Sequence, residues 1–78
     1  MISQLELLEK LRFALMDSNL DENSNNSNTE NWDSLGQLSI LGAISNLTNK
    51  ESDKVEELRE VESVLEIFRI LRDHNLLS

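Results

Sequence analysis

From Ile2 to Met16, apolar residues recur at helical spacing. Leu8, Leu11 and Leu15 form the centre of a stripe with Leu7 and Ala14 beside it, so an amphipathic helix is predicted there. Ser3 followed by Glu6 fits a capping box at its start. A second series, Leu35, Leu38, Leu41, Ile44 and Leu47, widened by Ile40, predicts a helix apolar around most of its circumference, which places it at the centre of a bundle. Val61, Val64, Leu65, Phe68 and Leu71, flanked by Ile67 and Ile70, predict the last helix. Arg69, Arg72 and His74 fall near its C-terminus, where cations suit the peptide dipole, and Glu66 is spaced to pair with Arg69.

The segments between these stripes are polar. Asp17 to Asn31 is crowded with Asn, Ser and Asp, which bond their own backbone in competition with a helix, and only Leu20 is suited to burial, so a long loop is predicted. Loops of this length in a compact domain are usually functional or mobile. Trp32 is expected to anchor its end against the bundle, the alternative being an indole exposed for partner contact. Thr48 to Ser52 breaks the second apolar series, and Asp53 with Glu56 predicts the cap of a short helix through Leu58, anchored by Val55 and Leu58. No Pro or Gly separates Leu58 from Val61, so one bent helix from Asp53 to His74 is an alternative. Gly36 and Gly42 each weaken the central helix by roughly 1 kcal/mol relative to alanine. Their small size is expected to serve the close approach of a neighbour.

Composition narrows the possibilities. Seventy-eight residues make a single small domain, 1–78, near the size at which one apolar core barely suffices. There is no cysteine, and His74 is the sole histidine, so neither a disulfide nor a zinc site is expected to hold the fold together. Fifteen acidic against seven basic side chains give a net charge of −8, which repels nucleic acid and anionic membranes and suits either partners with basic docking patches or simple solubility. The first residues lack a basic start and are interrupted by Glu6 and Glu9, which does not suit a signal peptide. No apolar run is long enough to cross a bilayer, and a cytoplasmic location is expected.

The chemistry converges on one residue. Ser34 lies where the polar segment gives way to the central apolar helix, placing its hydroxyl at a helix N-terminus. There the unpaired N–H groups favour an anion by roughly 0.3 to 1 kcal/mol. Nothing else assembles a catalytic set: Asp33 is merely adjacent, and His74 is a tail residue, so no enzymatic activity is expected.

Trp32 to Leu38, W-D-S-L-G-Q-L, followed by an apolar helix, resembles the attachment site of acyl carrier proteins. The resemblance implies an all-α four-helix bundle of three long helices with a short third one. It implies a 4'-phosphopantetheine arm on Ser34 flanked by Asp33 and Leu35, and acyl intermediates carried as thioesters for fatty acid, polyketide or another specialised pathway. The implied partners are a phosphopantetheinyl transferase and acyl-loading, acyl-transferring or condensing enzymes with basic docking patches, the carrier itself being a monomer. In the family the acyl chain shelters beside the short helix, which makes Leu38, Leu41, Val55, Leu58 and Val61 candidates for lining that space.

The chain departs from the family pattern in several places. The family's recognition helix is typically studded with acids, whereas Gly36, Gln37, Ser39, Ser45 and Asn46 are uncharged. The acids Glu51, Asp53, Glu56, Glu57, Glu60 and Glu62 gather after that helix instead. The short third helix is compressed, and the first loop, with fewer apolar contacts, is expected to be less ordered than its family counterparts. Two other readings stay open: a helical interaction module that keeps the fold without the prosthetic group, and an aminoacyl or D-alanyl carrier.

Overall fold

Each of the three α-helices starts on a side-chain cap. In the computed structural model, which describes all 78 residues, they are α1 (Gln4–Leu15), α2 (Ser34–Leu47) and α3 (Val64–Asp73). Ser3 Oγ accepts from Glu6 N–H at 3.1 Å while Glu6 Oε1 accepts from Ser3 N–H at 3.1 Å, completing the expected capping box. Asp33 caps α2 through Gly36 N–H at 2.9 Å, and Ser63 caps α3 through Glu66 N–H at 3.1 Å. Each such cap contributes about 1 kcal/mol. The Ser63 cap also ends the alternative of one bent helix from Asp53 to His74, because the chain is extended at Val61 and Ser63.

The helices end without glycine. Met16 (φ 52°), Asn49 (φ 51°) and Asn75 (φ 60°) take the left-handed conformation instead. Each is followed by an N–H that reaches back five residues, Asp17 to Arg12 at 2.9 Å, Lys50 to Ser45 at 2.7 Å and Leu76 to Leu71 at 2.8 Å, closing three Schellman motifs.

Between α2 and α3 the expected short, capped helix is absent. Two 3-10 turns, Glu51–Lys54 and Glu56–Glu60, take its place around an extended Val55, and neither has a side-chain cap, so the Asp53–Glu56 pairing does not form. The reason lies in spacing. Ser52, Val55, Leu58 and Val61 recur every third residue and all are buried, and a 3-10 turn, with 3.0 residues per turn, stacks i and i+3 on one face. The architecture is therefore all-helical with three α-helices, and its sole extended pairings are the isolated bridges Ile2–Leu77 and Asn25–Ser63. No helix is long and apolar enough to cross a membrane.

The core joins Leu7, Leu11 and Leu15 of α1, Ile40 and Ile44 of α2, and Val64, Ile67, Phe68, Ile70 and Leu71 of α3, with Leu20, Trp32, Val55, Leu58, Val61 and Leu77 filling between them. The expected stripes hold in part. In α1, Leu7 is buried and Leu8 only half-buried. In α2, the inward face is Gly36, Ile40 and Ile44, leaving Leu35 and Leu38 75% and 66% exposed; in α3, Leu65 points outward. α2 packs on α1 along one side and on the 3-10 segment along another, so its far side faces solvent whatever its residues. Glu66 does not pair with Arg69: it accepts from Glu62 N–H at 2.9 Å, and Arg69 lies 3.6 Å from Asp73 instead.

The loop from Asp17 to Asn31 is built from polar turns. Asp17, Asp21 and Asn25 each accept from an N–H two residues on, at 2.8–3.0 Å, and Leu20, Ser24 and Thr29 are buried. Asn26 N–H to Glu62 O at 2.9 Å and Val64 N–H to Ser24 O at 3.0 Å fasten it to the start of α3. Its end meets α1 and α2 at Gly36, where an added methyl would strike the Asn31 carbonyl oxygen and come within 2.9 Å of Leu15 Cδ2. The close approach expected of Gly36 is thus present. Gly42 has nothing within 4 Å of where its methyl would lie, so no neighbour explains it.

Candidate functional site: the head of the central helix

Three consecutive residues build the site in different ways. Trp32 ends the loop as a buried anchor, 5% exposed, and donates its indole N–H to Gln37 Oε1 at 2.7 Å. Asp33 is extended and spends its carboxylate on Gly36 N–H. Ser34 is the first residue of α2 and is exposed, with Leu35 exposed beside it. Because Asp33 supplies the cap, the Ser34 hydroxyl is free of that duty. The sequence placed Ser34 on the boundary without identifying Asp33 as the capping residue.

A groove opens beside Ser34 between α2 and the segment that leads into α3. Trp32, Gln37, Leu38 and Leu41 form one wall, and Arg59 and Val61 belong to the other. Beyond Leu41 and Arg59 a narrower depression of about 270 Å³ continues past Ile44, Val55 and Leu58. All five residues expected to line an acyl space border this pair of depressions: Leu38 and Val61 the first, Val55 and Leu58 the second, Leu41 both. Their burial differs. Leu38 stands at the outer rim, whereas Val55, Leu58 and Val61 are buried members of the core.

Gln37 and Arg59 are the residues that the sequence did not single out. Gln37 accepts from Trp32 and donates through Nε2 to the Arg59 carbonyl at 3.1 Å, linking the loop end, α2 and the second 3-10 turn. Trp32 is five residues away, across the loop-to-helix boundary, and Arg59 twenty-two, and neither spacing is a helical side-chain pairing that a local pattern would announce.

Charge divides sharply around the site. α2 contains no acidic or basic residue, and its outward face presents Leu35, Leu38, Ser39 and Gly42. Asp33, Glu60 and Glu62 edge the groove, and Glu51, Asp53, Glu56 and Glu57 continue the acidic strip, all exposed, with Arg59 and Lys54 as the cations among them, Lys54 lying 3.8 Å from Glu51. His74 Nε2 lies 3.5 Å from Glu57 Oε1 and is not part of the groove. The site therefore presents a hydroxyl without an adjacent imidazole, and no group of three His, Cys, Asp or Glu side chains is arranged to hold a metal. On the other side of α2, a second apolar groove against α1 is lined by Phe13, Met16, Ser39 and Ala43 and does not reach Ser34. No family model matches this chain, and neither a curated protein nor a solved structure is significantly similar to it.

Proposed function

We propose that the protein is a carrier of the acyl carrier type, bearing 4'-phosphopantetheine on Ser34 and moving acyl groups between the enzymes of a fatty acid, polyketide or other specialised pathway. One observation carries this reading: Ser34 is exposed at the first residue of α2 with its hydroxyl left uncommitted by the Asp33 cap. The two 3-10 turns are then the counterpart of the family's short third helix.

The residues around Ser34 suit such an arm. Its phosphate would lie at the N–H groups of the first turn, whose attraction of roughly 0.3 to 1 kcal/mol is partly offset by the neighbouring Asp33 carboxylate. The groove between Gln37, Leu38 and Val61 offers a bed for the remainder. When bound, the group supplies the thiol on which an acyl unit is carried, which a chain without cysteine cannot provide itself. The chain's part is to hold Ser34 outward, fix the start of α2 through Asp33, and offer partners the uncharged face around Leu35 and Leu38. A separate phosphopantetheinyl transferase supplies the base that activates the hydroxyl. Partners with basic patches are drawn by the acidic strip, and a cytoplasmic monomer fits this role.

The uncharged outer face of α2 also favours a second reading, a helical interaction module that lacks the group. Incubation with coenzyme A and a broad-specificity transferase, followed by intact mass measurement, separates the two. The expected result is a gain of one phosphopantetheinyl group in the wild type and none in Ser34→Ala. An unchanged wild-type mass, or a gain in the variant, would overturn the assignment.

A further inference from the structure

The path from Ser34 into the interior runs along the seam between α2 and the segment 56–61, and Gln37 is bonded across that seam. Its amide is used at both ends, accepting from Trp32 Nε1 at 2.7 Å and donating to the Arg59 carbonyl at 3.1 Å. Behind it Ile40, Ile44, Leu58 and Val61 are all at most 2% exposed, and the space beside them is the depression of about 270 Å³ beyond Leu41 and Arg59. For an acyl chain to pass from the outer groove into the core, Gln37 must release both partners. One of these is the N–H of a buried indole, a donor that is costly to leave unpaired away from water. The outer groove is reached without that release, and it is short: Trp32, Leu38, Leu41 and Val61 give it an apolar floor, and Asp33, Gln37, Arg59, Glu60 and Glu62 give it a polar edge.

We infer that Gln37 is a latch that keeps this seam closed, and that the cargo is a short acyl group borne in the outer groove rather than a long chain sheltered in the core. This inference rests on Ser34 as the attachment site. It makes Gln37 a positioning residue that decides cargo length: the methylenes of a long chain that extend beyond the outer groove stay in water and add no stability.

The test uses acetyl-, hexanoyl- and dodecanoyl-coenzyme A, loaded by the transferase onto wild type and onto Gln37→Met, which keeps the side-chain length and removes both hydrogen bonds. Trp32 is the only tryptophan, so its emission reports on the latch directly. In the wild type, melting temperature and emission maximum should be the same for all three loads. In Gln37→Met the melting temperature should rise by roughly 5 °C or more from acetyl to dodecanoyl as methylenes become buried. Should Gln37→Met fail to fold, Gln37→Glu retains the acceptor for Trp32 and loses the donor to Arg59, and is expected to show a smaller rise of the same sign. A wild-type melting temperature that climbs with chain length, or variants as flat as the wild type, would overturn the latch. A failure of loading, read as an unchanged mass, overturns instead the attachment reading on which it rests.

Discussion

Two glycines in one helix are expected to respond to alanine with opposite signs. Any exposed interior glycine replaced by alanine gains about 1 kcal/mol from helix propensity. Gly42→Ala should realise most of this, about 0.5 to 1 kcal/mol, because nothing lies within 4 Å of the added methyl. At Gly36 the same methyl meets the Asn31 carbonyl oxygen, comes within 3.1 Å of the Asn31 carbonyl carbon and approaches Leu15 Cδ2 to 2.9 Å. Neither neighbour yields easily. Leu15 is a buried core residue, and Asn31 is tied to α1 by its own amide, which donates to Leu15 O at 2.8 Å. Overpacking of this kind costs roughly 1 to 3 kcal/mol and here displaces backbone, so a cost near 3 outweighs the propensity gain and leaves a net loss of about 2 kcal/mol. The two variants should thus differ by about 2.5 to 3 kcal/mol. With a urea slope of about 1 kcal/mol/M for so small a chain, their midpoints should stand more than 2 M apart on either side of the wild type. Urea titration followed by both far-UV circular dichroism and Trp32 emission measures this and checks that the slopes agree. A Gly36→Ala midpoint at or above that of the wild type would show that the first turn of α2 is not packed against Asn31 and Leu15 as described.

Met16→Gly should stabilise the fold by about 1 kcal/mol, since Met16 is held at φ 52° while 85% exposed and so has a strained backbone with little packing to lose. A thermal melt lower than that of the wild type would contradict this. Asp33→Ala should cost about 1 kcal/mol through the lost bond to Gly36, and Asp33→Asn should keep most of it. If melting of the two variants is indistinguishable, Asp33 is not the cap.

The fold was legible where side chains act on their own neighbourhood. Ser3 and Glu6 announce the start of α1, and the stripe from Val64 to Leu71 survives as the core face of α3 with only Leu65 displaced. The crowding of Asn and Ser on one side of Ser34 and of apolar residues on the other puts it at the head of its helix. What could not be read depended on remote partners. Periodicity identifies an apolar stripe but not where neighbours stand, so it does not reveal that Leu35 and Leu38 remain 75% and 66% exposed, Leu38 at the rim of the groove. Between Ser52 and Val61 the information was present and outweighed: the spacing of three signals a 3-10 path, and the Asp53–Glu56 pair suggested an α-helix. Gln37 looked like one more uncharged residue because its partners, Trp32 and Arg59, meet it only after the chain has folded.

The chain's only two glycines both lie inside α2, while its helix ends are closed by methionine and asparagine. Backbone freedom is ordinarily greatest in connections and least in helices. Here the tight corners are taken by residues with side chains, and Gly42 lies on the face of α2 that nothing covers, while Ile40 and Ile44 beside it are locked into the core. A surface that settles on this face can therefore approach the backbone of α2 at Gly42 without meeting a side chain, about two turns from a serine that the loop has pinned in place.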